Sequence, residues 1–243
     1  MRRCVALFTL SIALVAGAAH AQTLGLGVGN CAGPYTANFT CLSNTGTALD
    51  LTGYAYIPVA SRPNFVATES WLEVATLSTT IPDWWRADAC RSGAFSASAG
   101  PLMDDYCTSL WDAGPAPLTT LSTVYPLYKG ANVFRFVIDT VLPDTAAYDL
   151  AGGGASVPIT VFRMTVSRTK SSGTGACVGC STGGCLNFTK LFLIRQGQTV
   201  DNAELILGAR GPHDASQFQW NGGACFPDAV HYRTWGMVKS LYR

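Results

Sequence analysis

VPITVFRMTVSRTK (157–170) runs through SSGTGACVGCSTGG (171–184) into CLNFTKLFLIRQG (185–197). The first segment sets Ile159, Val161, Arg163 and Thr165 against Thr160, Phe162, Met164 and Val166, a period of two rich in β-branched and aromatic residues. The third is dense in Leu, Phe and Ile. Between them lie fourteen small and polar residues carrying Cys177 and Cys180, and Cys185 follows at once. The pattern predicts a long β-hairpin over 157–197 with a cysteine-bearing loop at its tip. Such a loop has little to bury, and ordering it costs roughly 1–2 kcal/mol per residue of backbone entropy. Cross-links lower that cost by restricting the unfolded chain.

Three thiols in nine residues also fit a metal or a redox centre. Cys177-x2-Cys180 has zinc-knuckle spacing, with Cys185 and one of Cys225, His213 or His231 completing four ligands. An iron–sulfur cluster wants four thiolates. A redox C-x-x-C opens a helix in a thioredoxin-like βαβ unit, whereas this one lies between two strand-like runs. Metal and redox chemistry both need reduced thiols.

The start of the chain opposes that. MRRCVALFTLSIALVAGAAHAQ (1–22) has a positive start, an apolar run over 5–17 and an Ala19-His20-Ala21 end, which reads as a signal peptide spanning 1–21. The run is shorter than the roughly 20 residues of a membrane-spanning helix, and no other segment is long enough. Export predicts a secreted or extracytoplasmic location and disulfides rather than thiols. With residues 1–21 removed, eight cysteines remain, enough for four bridges in any of 105 pairings. Ranking by sequence proximity gives Cys31–Cys41, Cys90–Cys107, Cys177–Cys185 and Cys180–Cys225 as structural disulfides.

Other runs repeat the alternation. NFVATESWLEVATL (64–77) places Phe65, Ala67, Glu69, Trp71 and Glu73 opposite Val66, Thr68, Ser70, Leu72 and Val74. ANVFRFVIDTVL (131–142) sets Phe134, Phe136 and Ile138 against Arg135, Val137 and Asp139. Gly-rich turns punctuate them at 152–154, 181–184, 210–212 and 221–223. Helical signals are confined to IPDWWRADACR (81–91), capped by Asp83, and DDYCTSLWDAG (104–114). The fold class is all-β: a β-sandwich or jelly-roll-like single domain over 22–243, with one or two short helical insertions and disulfide-stapled loops.

Composition narrows the partners. Hydrophobic residues make up 48% and charged residues 13% of the chain, about half the usual charged fraction. Without the leader, fourteen basic residues face fifteen acidic ones, a net charge of −1. With no basic cluster, neither nucleic acid nor an anionic membrane surface is expected as a partner.

Few residues offer chemistry. His213 beside Asp214, and His231 three residues after Asp228, would serve a Ser-His-Asp hydrolase, but no G-x-S-x-G elbow occurs. Glu69 and Glu73 share a strand face about 13 Å apart, too far for a glycosidase pair on a straight strand. Asp104 and Asp105 would point to opposite faces if extended. Asp144, Asp149, Asp201 and Glu204 lie in short acidic turns without the calcium-loop pattern. Asn38 and Asn187 open N-x-T sites, read as bare in a bacterial chain. No cofactor is expected. Of the six tryptophans, Trp84, Trp85 and Trp111 are the candidates for a ligand-binding platform. The adjacent pair cannot both be buried by a simple strand or helical turn, so one is expected at the surface to stack on a sugar ring.

The IPDWWR segment before Cys90, the GTGAC-x2-C loop at 173–180 and the TWG-x-VK-x-LYR end at 234–243 together resemble a group of exported bacterial proteins of uncharacterised activity. The resemblance spans most of the chain after residue 21. It implies a bacterial, exported, single-domain protein and no particular reaction. The function expected is a non-enzymatic extracellular binding or structural role, with a glycan or a cell-surface protein as partner. A carbohydrate-binding module and a secreted hydrolase are the alternatives.

Overall fold

The computed structural model describes residues 23–58, 61, 63–99, 106–111, 116–127, 130–143, 157–208, 215–223 and 225. Residues 1–21, expected as a signal peptide, and His213, His231, Asp104, Asp105, Asp144, Asp149, Trp235 and the C-terminal TWG motif lie outside them.

Among the described residues, twelve strands follow one another along the chain. They are β1 (Leu24–Val28), β2 (Thr36–Ala37), β3 (Leu49–Ala55), β4 (Phe65–Thr76), β5 (Phe95–Ser98) and β6 (Thr108–Ser109), then β7 (Leu118–Val124), β8 (Val133–Val141), β9 (Ile159–Val166), β10 (Gly184–Arg195), β11 (Glu204–Leu207) and β12 (Gln217–Trp220). They form two sheets. One runs β1-β3-β9-β5, with β6 on the edge of β9. The other runs β2-β12-β10-β4-β8-β7, with β11 also on β10. Most pairs are antiparallel; β2 with β12 and β6 with β9 are parallel. The expected β-sandwich is what forms.

The alternation read from sequence fixes the inward faces. In β8, Phe134, Phe136 and Ile138 are buried; in β4, Leu72 and Val74 are. Both sheets feed one core. Phe162 of β9 meets Phe188 of β10 edge-on at 5.1 Å, and Phe95 of β5 meets Phe136 of β8 at 5.1 Å. These ring contacts join strands of opposite sheets.

They also correct the hairpin. β9 and β10 do not pair. β9 lies between β3 and β5 in one sheet, and β10 between β12 and β4 in the other. β9 is flanked on each side by strands distant in sequence, while β10 has β4 on one side and β12 and β11, the next strand in the chain, on the other, so the cysteine loop crosses from sheet to sheet over the end of the sandwich. Alternation along a strand identifies its faces and carries no information about its neighbour.

The helical insertion expected at 81–91 reduces to a single 3-10 turn at Asp83–Trp85, and another such turn at Val200–Asn202 lies outside both expected insertions. Asp83 is the first residue of its turn, not a cap; Pro82 holds that place without a side-chain bond. No helix is found among the described residues of 104–114. Thr108 and Ser109 extend along β9 instead, where the edge of β9 is free to accept them.

β3 and β9 slip register between Gly53 and Tyr54, so Val161 and Phe162 are both buried. A bulge of this kind frees a backbone carbonyl from the ladder. The Val161 carbonyl accepts a hydrogen bond from the Trp111 indole at 3.0 Å.

Candidate functional site

The eight described cysteines are all bridged, but not as proximity along the chain ranks them. The pairs are Cys31–Cys107, Cys41–Cys180, Cys90–Cys177 and Cys185–Cys225, with Cα separations of 6.0, 5.8, 5.9 and 4.9 Å. The four expected pairs, Cys31–Cys41, Cys90–Cys107, Cys177–Cys185 and Cys180–Cys225, are all replaced. Closing a short loop is entropically cheaper, but sulfurs join only where the backbone brings them within reach. Here the loop between β9 and β10 sends Cys177 to the β4–β5 connection and Cys180 to the β2–β3 connection.

Beneath that loop lies an aromatic cluster. Trp84 and Trp85 meet edge-on at 4.9 Å, and each lies 4.9 Å from Trp220. Phe39 stacks on Trp220 at 4.7 Å. The loop roofs the cluster through hydrogen bonds. The Trp84 amide donates to the Val178 carbonyl at 2.9 Å, the Trp84 indole to Ser171 at 3.1 Å, and the Trp220 indole to the Cys180 carbonyl at 3.3 Å. Gly179, at φ +95°, allows the close approach: a methyl group there would lie 2.2 Å from Pro82.

Trp84 and Trp85 are therefore both fully buried, and Trp111 nearly so. The expectation of an exposed platform on these three is corrected. A 3-10 turn with sheets below and a stapled loop above encloses both indoles, which neither a strand nor a helix would do alone. Arg91 completes this region. It is buried, lies 3.8 Å over the Trp84 ring, and donates from Nη2 to the Ser167 carbonyl. Its Nε and Nη1 have no hydrogen-bond partner. Burial pushes its pKa down to about 10.

A described surface that combines aromatic and charged groups is the outer face of the seven-stranded sheet. Cross-strand register aligns Asp139, Glu69 and Phe192 in one row, Val137, Trp71 and Lys190 in the next, and Arg135, Glu73 and Asn187 in a third. Trp71 is half-buried at the centre. Its indole donates to Glu69 Oε1 at 2.5 Å. The Arg135 guanidinium lies 3.9 Å and the Lys190 ammonium 4.2 Å from its ring centroid, with Phe192 at 5.5 Å. Arg135 also donates to Glu73 Oε1 from Nη2 at 2.6 Å and from Nε at 3.2 Å. Both partners of that ion pair are almost wholly buried.

Glu69 and Glu73 thus hold different partners, an indole and a guanidinium. The carboxylate next to Glu69 is Asp139 on β8, and burial together with the Glu69 charge raises its pKa above the ordinary aspartate range. Sequence reasoning passed over Asp139, Arg135, Lys190 and Phe192 because they come from two strands, β8 and β10, that lie far apart in the chain and on either side of β4. Their outward-facing alternate positions were the available signal.

Of the acidic-turn residues, Glu204 is paired with Arg195 and accepts from Ser61 at 2.7 Å. Asp201 lies in the second 3-10 turn. Among the described residues no three His, Cys, Asp or Glu gather as a metal site, and no helix is long and apolar enough to cross a membrane. No protein-family model, curated protein or solved structure matches the chain.

Proposed function

We propose that the protein is exported after removal of residues 1–21, folds over 22–243 as one extracytoplasmic domain, and binds a partner without transforming it. Four disulfides suit an oxidising compartment. The observation that carries the binding reading is the Trp71 cluster. An indole, a phenyl ring, two cations and three carboxylates share one sheet face, and the contacts of Trp71 with Glu69, Arg135 and Lys190 and of Arg135 with Glu73 hold those side chains in place before any ligand arrives. Pre-ordered side chains lose less entropy on binding. Aromatic edges beside fixed hydrogen-bonding groups suit a glycan, the partner class this reading favours.

Glycan-array binding by the disulfide-intact chain tests it. Trp71→Ala should reduce binding at least tenfold, equivalent to about 1.4 kcal/mol, while Trp111→Phe, which leaves the outer face untouched, should not. Binding indifferent to Trp71→Ala, or no binding to any glycan, would refute this reading.

A further inference from the structure

Strand β7 reads Leu-Thr-Thr-Leu-Ser-Thr-Val over 118–124 and forms one edge of the seven-stranded sheet. One side pairs with β8 over all seven residues without a register shift. Its other side has no strand partner among the described residues. Leu118 is 61% exposed and Val124 41%, and Val141, paired with Leu118, is 46% exposed.

Natural sheets protect such edges with charges, proline, bulges, short strands or covering loops. The other edges here follow that rule. β1 is engaged through Leu26, whose amide donates to the Ala215 carbonyl at 2.7 Å, and Val28, whose amide donates to the Pro34 carbonyl at 3.2 Å. β2 has two residues, β5 has four, and β11 has four and opens with an ion-paired Glu204. β7 carries no charge, no proline and no bulge.

Its sequence is also self-complementary. Placed antiparallel to a second copy about Leu121, Leu118 meets Val124, Thr119 meets Thr123, Thr120 meets Ser122, and Leu121 meets itself. Every apolar residue faces an apolar one and every hydroxyl faces a hydroxyl, the pairs that stabilise adjacent strands. Each pair joins residues of equal parity. Whichever set points its N–H and C=O away from β8, donors then meet acceptors in this register.

We propose that β7 is a self-association edge: two copies of this chain pair antiparallel through Leu118–Val124 about a twofold axis at Leu121. Two seven-stranded sheets become one continuous sheet. The axis is normal to the sheet, so both outer faces point the same way. The contact is a single strand pair, small for a protein interface, so the dimer is weak and concentration-dependent.

Sedimentation equilibrium of the disulfide-intact chain from about 1 µM to about 1 mM, the range of weak complexes, should show the mass rising towards twice the monomer. Thr120→Lys with Ser122→Lys sets like charges opposite one another across the axis and should hold the chain monomeric. Both positions are exposed, and Thr120 lies opposite Asp139, so this variant should melt as the parent does. Mixing it with a Ser122→Glu chain should restore a heterodimer. If the lysine variant misfolds, hydrogen exchange on the parent decides: alternate amides of 118–124 should gain protection as concentration rises. A parent monomeric throughout, a dimer that survives both lysines, or concentration-independent exchange in β7 would overturn the proposal.

Discussion

Asp139 lies on the solvent face of β8 beside Glu69, and its environment works against ionisation: burial first, then the neighbouring carboxylate. A carboxyl whose pKa is raised by folding binds its proton more tightly in the folded state. Its contribution to stability is therefore full at low pH and is lost as the pH rises from the unfolded towards the folded pKa. Asp139→Asn removes that loss. Urea midpoints measured from about pH 3.5 to about pH 7, across the carboxylate range, should fall less for the variant than for the parent. Identical slopes would mean that Asp139 ionises without penalty. Arg91 is a second residue in an adverse setting, a guanidinium held by an indole face and one carbonyl with no counter-charge at hydrogen-bond distance.

At the scale of the strand, β3 and β9 depend on a missing side chain. A methyl group at Gly53 would lie 2.3 Å from the Phe162 ring, which itself packs on Phe188 of the other sheet. Gly53→Ala should cost about 1–3 kcal/mol by overpacking, or roughly 2–12 °C in melting temperature for a domain of this size. Adding Phe162→Leu should cost less than the two single losses summed, because the smaller side chain yields the space. Additive losses would place the strain elsewhere. Strand alternation and the buried faces were legible before any coordinates. The bulge at Val161 was not, because an extra residue is recognised only against a partner strand.

At the scale of the molecule, two disulfides tie the sheet-to-sheet loop to connections far off in sequence. Cys41–Cys180 spans 139 residues and Cys90–Cys177 spans 87. Closing a loop of the latter length restricts the unfolded chain by about 4.6 kcal/mol in the chain-entropy model. Cys90→Ser with Cys177→Ser should lower the unfolding free energy by about that amount. Trp84 and Trp85 emission should shift to the red as the roof over them loosens. A loss below about 1 kcal/mol with unshifted emission would show that the loop holds its place by hydrogen bonds and packing alone. Non-reducing peptide mapping should recover the four linkages of the structure, joining Cys41 to Cys180 rather than to Cys31.

Period-two patterning, turn residues and an even cysteine count after residue 21 were enough to establish an all-β, disulfide-braced chain, because those signals are local and each residue reports its own exposure. Strand neighbours, sulfur pairings and the fate of the tryptophans were settled only by the assembled sandwich. β9 and β10 went to opposite sheets, each described cysteine joined a partner at least 40 residues away, and Trp84 and Trp85 disappeared beneath a loop read as a hairpin tip. The Trp71 cluster likewise exists only once β4, β8 and β10 lie side by side. These features depend on which distant segments become adjacent, and that is decided by burying one shared core, a quantity no single stretch of the chain contains.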